Sequence, residues 1–246
     1  MTSAKEKFIV ALDVSTAKDA LEFVNKLRGI AGMFKIGSQL FTAEGPDLVR
    51  EIVNSGEKVF LDLKFHDIPN TVAGAAVEAT RLGVSIFNIH ASGGVEMMQR
   101  AADATSTVAQ AEGIARPIVI AVTVLTSIDE STLVESGIPA TPREMVQRLA
   151  KLAEDAGMDG VVASPNEITL VRETVQKPGF VIVTPGIRPL GEDIHDQSRI
   201  STPREAVLHG ADYIVVGRTI TQAIDPVAMA NEVLKEMETA ALSRAS

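Results

Sequence analysis

Along this chain, short runs of β-branched and other apolar residues alternate with longer stretches in which apolar positions recur every three or four residues. The runs predict strands at 8–12, 33–36, 59–64, 85–89, 117–124, 160–163, 180–183 and 213–216. Most show no alternation of apolar and polar positions, as expected of parallel strands covered on both faces. The stretches between them read as helices with recognisable ends. Thr141-Pro142-Arg143-Glu144 joins a cap, a first-turn proline and a capping-box acid; Met145, Leu149, Leu152 and Ala156 mark one apolar face, and Gly157 stops the helix. Thr202-Pro203-Arg204-Glu205 repeats the opening before a shorter helix ending near Gly210, and Asp225-Pro226 opens the last one.

This strand-helix alternation runs through all 246 residues with no linker or low-complexity stretch. It predicts an α/β fold, one (β/α)8 TIM barrel forming a single domain over 1–246, in preference to two small domains. An open doubly wound sheet is expected to carry a glycine-rich turn after its first strand. Leu12-Asp13-Val14-Ser15-Thr16 offers none.

Charge breaks the apolar pattern most sharply at Asp62-Leu63-Lys64-Phe65-His66-Asp67, where two acids and a lysine interrupt or follow an apolar strand. Residues two apart on a strand share a face and lie roughly 7 Å apart, so Asp62 and Lys64 are expected to point the same way. Charges on an interior face are costly unless paired. One salt bridge accounts for one acid and one lysine, but Asp67 leaves a surplus carboxylate within reach of the same ammonium. Such acid and base clusters concentrate at functional sites.

In barrels of this kind the active site lies at the carboxyl ends of the strands. Asp13, Lys35, Asp62, Lys64 and His90 fall at the ends of the first four predicted strands, and Thr126 and Ser127 follow the fifth. Pro185-Gly186-Ile187-Arg188 and Gly217-Arg218 follow the seventh and eighth, where barrels often bind phosphate. A bidentate contact to phosphate suits Arg218. Plainer readings stand beside these. Asp13 and Asp67 are each suited to capping a following helix, His90 to a structural hydrogen bond, and Arg188 and Arg218 to surface ion pairs. Gln197 lies on a loop, 189–202, longer than most βα connections, which suggests a ligand-gripping segment or lid but is equally consistent with loop polarity.

Composition narrows the partners. Apolar content of 46% supports a core, and no apolar run reaches the roughly 18 residues that would suggest a membrane span. The amino-terminal residues carry no apolar leader segment and there are no cysteines, so a soluble, cytoplasmic protein is expected. A net charge of -9 argues against nonspecific nucleic-acid binding, while local cations could still hold an anion. With no cysteine and four scattered histidines, no zinc site is expected.

The segment 62–71 (DLKFHDIPNT), with Ala11-Leu12-Asp13, Phe34-Lys35-Ile36-Gly37, Val183-Thr184-Pro185-Gly186-Ile187-Arg188, Asp196-Gln197 and Val216-Gly217-Arg218, resembles the orotidine 5'-phosphate decarboxylase family over nearly the whole chain. The D-x-K-x-x-D core alone is shared with barrels that include 3-keto-gulonate-6-phosphate decarboxylases. Its continuation through Ile68-Pro69-Asn70-Thr71 is the discriminating part. Ala163 stands where many relatives carry cysteine.

The resemblance implies decarboxylation of orotidine 5'-phosphate to UMP and CO2, the last step of de novo pyrimidine nucleotide synthesis, with neither cofactor nor metal. It implies that Lys64, held charged by Asp62 and Asp67, protonates the C6 carbanion, and that Asp62 faces the substrate carboxylate. Lys35 joins that catalytic set and, with Asp13, holds the ribose hydroxyls. Thr126 would contact the pyrimidine or the lid over it, Ser127 and Pro185 would be among the substrate-binding residues, and Arg218, the Gly217 backbone and Gln197 would carry the phosphate, with Arg188 near it. A homodimer is implied as well, in which Asp67, Ile68 and Thr71 enter the neighbouring subunit's site. Alternatives are a metal-dependent sugar-phosphate decarboxylase of the same barrel group, an aldolase using Lys64 as a Schiff-base nucleophile, and a noncatalytic binder of phosphoribosyl ligands.

Overall fold

A computed structural model describes residues 3–189 and 201–245 of the chain. Eight parallel strands close into a barrel in sequence order: β1 (Phe8–Ala11), β2 (Met33–Gly37), β3 (Val59–Phe65), β4 (Ile86–His90), β5 (Ile118–Val122), β6 (Gly160–Val162), β7 (Val181–Thr184) and β8 (Tyr213–Val216), with β8 pairing back onto β1. The helices around it are α1 (Ala17–Leu27), α2 (Ser38–Asn54), α3 (Pro69–Arg81), α4 (Gly94–Glu112), α5 (Glu130–Glu135), α6 (Pro142–Asp155), α7 (Ile168–Thr174), α8 (Pro203–His209), α9 (Arg218–Thr221) and α10 (Pro226–Ala245). The expected barrel is therefore present. None of the helices among the described residues is long and apolar enough to cross a membrane.

The unbroken apolar runs have a simple cause. Alternate strand residues enter two different cores. Ile9, Met33, Phe60, Ile86, Ile120, Val183 and Val215 fill the barrel interior, whereas Phe8, Val10, Phe34, Leu61, Phe87 and Val119 pack outward against the helices. Helix ends follow their sequence signals: Thr141 with Glu144 and Thr202 with Glu205 form reciprocal capping boxes. The expected apolar face on α6 packs on the core, with Leu149 and Ala156 of the expected set buried. Val146, Leu149, Ala150 and Ala153 are buried, while Met145 and Leu152 lie half-buried at its edges.

The fifth strand is shorter than its apolar run. It stops at Val122, where its pairing ends on both sides, with His90 of β4 and with Val162 of β6. Beyond it, the Thr123 main-chain N–H (3.4 Å) and hydroxyl (2.9 Å) both donate to the Val162 carbonyl.

The amino-terminal end of the barrel, its floor, is pinned by two arginine and aspartate pairs. Asp159 Oδ2 accepts from Arg116 Nη1 (2.7 Å) and from the Val119 main-chain N–H (2.8 Å). Asp212 Oδ2 likewise accepts from Arg172 Nη2 and from the Ile182 main-chain N–H (2.8 Å), while Arg172 also donates to the carbonyls of Gly210 and Phe180. Each acid thus joins the start of one strand to its neighbour.

Candidate active site

At the opposite end, the same two-residue step along the strands leads from the interior apolar layer into a polar one. Met33 is followed by Lys35, Phe60 by Asp62, Ile86 by Asn88 and Val215 by Gly217. The charged members form a continuous row. Lys35 Nζ donates to Asp13 Oδ1 (3.3 Å) and lies 3.3 Å from Asp62 Oδ2, and Lys64 Nζ donates to Asp62 Oδ1 (2.6 Å). Side-chain exposure is 12% for Lys35 and 13% for Asp62, against 47% for Asp13. The buried centre of the row is tolerable because each charge there has an opposite neighbour on both sides.

Burial alone would push the Asp62 carboxyl up. The Lys35 and Lys64 ammoniums, with hydrogen bonds from Lys64 and Asn88, outweigh burial and hold it below the usual carboxylate range. Asp62 is thereby kept ionised among cations.

Lys64 reaches its place by an irregular backbone. Its φ of 54° is the one positive value of a non-glycine residue among the described residues, and the β3/β4 register shifts between Leu61 and Phe65. Positive φ in a residue with a Cβ costs about 1–3 kcal/mol unless its surroundings hold it. The regular-strand spacing expected for Asp62 and Lys64 is therefore replaced by a bulge that brings the two heads together.

Asn88, which sequence reasoning missed, sits under this bulge with no solvent exposure. Its Oδ1 accepts from the Lys64 main-chain N–H (2.8 Å), and its Nδ2 donates to Asp62 Oδ1 (2.7 Å). The only signal in the sequence was one amide within the apolar run of β4.

Two cavities flank the row. One, about 170 Å³, is mainly apolar, with Val122, Leu125, Thr126, Val162 and Ala163 across from Lys35, Asp62 and Lys64. The other, about 200 Å³, is polar and runs from Asp13 past Gly186 and Gly217 to Arg188 and Arg218. Pro185 borders both. Gly217 leaves room for the Asp13 carboxylate on the wall of the second cavity: a Cβ there would stand 2.7 Å from Asp13 Oδ2. A more open cleft of about 540 Å³ lies beyond Arg188 and Arg218 toward α10, and the charged row is absent from its walls.

Several alternatives set out from sequence are decided by these positions. Asp13 does not cap α1; Thr16 does, accepting from the Asp19 N–H. Arg188 is not a surface residue, being 7% exposed, and its main-chain N–H donates to the Ser201 carbonyl. His90 is the last residue of β4, half-buried, with its ring 5.3 Å from that of His66 and outside the lining of both cavities. Burial, then the charges of His66 and Lys64, lower its pKa against the pull of Asp62. Thr126 lines the apolar cavity, but Ser127 beside it is exposed and does not. Gln197 lies outside the described residues.

Asp67 departs from expectation. It makes no ion pair with Lys64 within the chain; it is exposed, and its Oδ1 accepts from the Ile68 N–H (2.6 Å). The chain leaves the barrel after Phe65, so Asp67, Ile68 and Thr71 form an outward face at the start of α3, with Ile68 67% exposed. Nor does Asp67 cap α3, whose N-cap is Ile68.

The profile of the orotidine 5'-phosphate decarboxylase / HUMPS family matches residues 6–233. This chain belongs to that family. Within it, the chain is 52% identical over 240 residues to orotidine 5'-phosphate decarboxylase of Syntrophotalea carbinolica, covering 98% of each chain. It is 53% identical over 236 residues to that of Moorella thermoacetica, covering 96% of this chain and 93% of the relative. The solved structure of orotidine 5'-phosphate decarboxylase from Lactobacillus acidophilus superposes with a TM-score of 0.83 at 38% identity, over 94% of this chain and 98% of the other. In this family member the D-x-K-x-x-D motif is divided: Asp62 and Lys64 line the apolar cavity, and Asp67 is exposed and lines neither cavity.

Proposed function

We propose that this protein converts orotidine 5'-phosphate to UMP and CO2 without cofactor or metal. The observation that carries the reading is the alternating row Asp13, Lys35, Asp62 and Lys64, set between an apolar cavity and a polar one that ends in two arginines. A pyrimidine suits the first cavity and a ribose phosphate the second. The phosphate, held by Arg188, Arg218 and the Gly217 backbone, supplies binding energy remote from the reacting carbon. Asp13 and Lys35 hold the ribose hydroxyls.

The C6 to carboxylate bond breaks, CO2 leaves, and the electron pair remains on C6. The Lys64 ammonium stabilises that charge and donates a proton to C6, becoming a neutral amine that recovers its proton from water. The substrate carboxylate faces Asp62 in the ground state, and this repulsion disappears as CO2 departs. Because the row is preorganised by mutual pairing, little rearrangement is required at the moment of reaction. Asp67, Ile68 and Thr71 complete the site of a second copy in a homodimer, a role supported by their exposure and by their absence from the lining of both cavities.

The test is to follow the absorbance of orotidine 5'-phosphate with purified protein in EDTA. Turnover to UMP at the same rate with and without EDTA is expected. No turnover would overturn the reading, and turnover that required a divalent cation would overturn its metal independence.

A further inference from the structure

A strand residue with positive φ cannot keep the regular ladder on both sides, and at Lys64 the parallel pairing of β3 with β4 is interrupted between Leu61 and Phe65. The Lys64 main-chain N–H consequently points at a side chain, that of Asn88 on the neighbouring strand. The other end of the same amide meets Asp62 Oδ1, the oxygen that also accepts from Lys64 Nζ. One fully buried amide therefore touches the backbone of Lys64 and the carboxylate of its partner. Both contacts are at full hydrogen-bond strength by distance.

We propose that Asn88 is a positioning residue for the decarboxylation: by holding the Lys64 backbone in its positive-φ bulge and Asp62 in its rotamer, it fixes where the Lys64 ammonium stands relative to the substrate. The inference rests on the function proposed above and adds to it a residue that touches neither cavity. The chemistry of the position is narrow. A main-chain N–H demands an acceptor, a carboxylate demands a donor, and the two demands lie one amide width apart. Leucine matches the volume and meets neither. Aspartate matches the shape and meets the first, but offers Asp62 a hydrogen only when it is itself protonated. The neighbouring Asp62 disfavours a second negative charge there.

Two variants and two readouts test this. Asn88→Leu should lower kcat by roughly 10- to 100-fold, the span for losing hydrogen bonds to charged groups, while KM and UMP affinity, set mainly at the phosphate end, change little. Asn88→Asp should be impaired at neutral pH and regain activity relative to the native chain as pH falls, because its protonated carboxyl restores the donor. A role in packing alone would give a ratio of activities independent of pH. The second readout needs no turnover: hydrogen exchange at the Lys64 amide should be slow in the native chain and in Asn88→Asp, and fast in Asn88→Leu. If Asn88→Leu does not fold, Asn88→Asp carries both measurements. A native chain inactive on orotidine 5'-phosphate with the exchange pattern intact would sink the proposed reaction but leave the clamp. Unchanged kcat in Asn88→Leu, a pH-independent ratio for Asn88→Asp, or an unprotected Lys64 amide in the native chain would overturn the positioning role.

Discussion

At the floor of the barrel, Asp159 and Asp212 each take an arginine and a strand N–H onto one oxygen, whereas at the mouth Asp62 shares its oxygens between two lysines and an amide. The floor pairs are self-contained. Each ties one strand to the next. The mouth row is instead a chain with open ends, since Asp13 at one end is 47% exposed and Lys64 at the other 33% exposed. Its looser links, 3.3 Å on either side of Lys35, leave that ammonium between two acids rather than committed to one. Pairing thus serves cohesion at the floor and readiness for a ligand at the mouth, with the same residue types.

The largest expected effect tests the mouth directly. Lys64→Ala should reduce turnover by about 10⁴-fold or more, since in the proposed mechanism it removes both the proton donor and the charge opposite C6, while UMP still binds. Mixing it with Asp67→Ala protein should restore activity as subunits exchange, one site in each mixed dimer being intact. Substantial activity in Lys64→Ala alone would remove the lysine from its role, and no recovery despite demonstrated exchange would remove Asp67 from the shared site.

The floor should respond in the other currency. Arg172→Ala leaves two carbonyls and the Asp212 carboxylate without their guanidinium and should cost about 1–3 kcal/mol of stability, measured by denaturant unfolding, with kcat unchanged in the folded protein. A drop in kcat of tenfold or more without unfolding would show that floor and mouth are not separate.

The smallest effect concerns pH. Asp62 and His90 both have folded pKa values below their ordinary ones of 3.8 and 6.5. For each, the unfolded chain takes up its proton first as pH falls, so the contribution to stability is complete above the ordinary value and is lost as pH drops through the folded one. Stability should therefore decline in two stages, a shallow one beginning near pH 6.5 and a second below the ordinary carboxylate range. His90→Asn should erase the first and spare the second; thermal melts across that range are the check, and an unaltered first stage would assign it to another group.

Legibility from sequence followed the same division between local and nonlocal causes. The strands were readable because two cores bury both of their faces, and Asp62 and Lys64 because charge is conspicuous in such a run. Helix caps at Thr141 and Thr202 were readable because the partners lie three residues apart. The bulge at Lys64 was not, since a lysine gives no local sign of positive φ, and Asn88 was not, since a neutral amide acquires meaning only from the neighbouring strand. The length of β5 depended likewise on where both of its neighbours end. Asp67, expected from spacing to lie within reach of Lys64, is instead exposed and bonded to the Ile68 N–H. Spacing along a chain does not reveal where a strand ends and turns outward.

The missing Cβ of Gly217 links positions that chemistry would treat separately. Because a methyl there would press on Asp13 Oδ2, the residue proposed to carry the phosphate also sets the room available to the acid proposed to hold the ribose. Variation at these two positions is consequently epistatic: a library that randomises Gly217 alone samples mostly displaced forms of Asp13, and altered sugar or phosphate preference will be reached by changing the pair together.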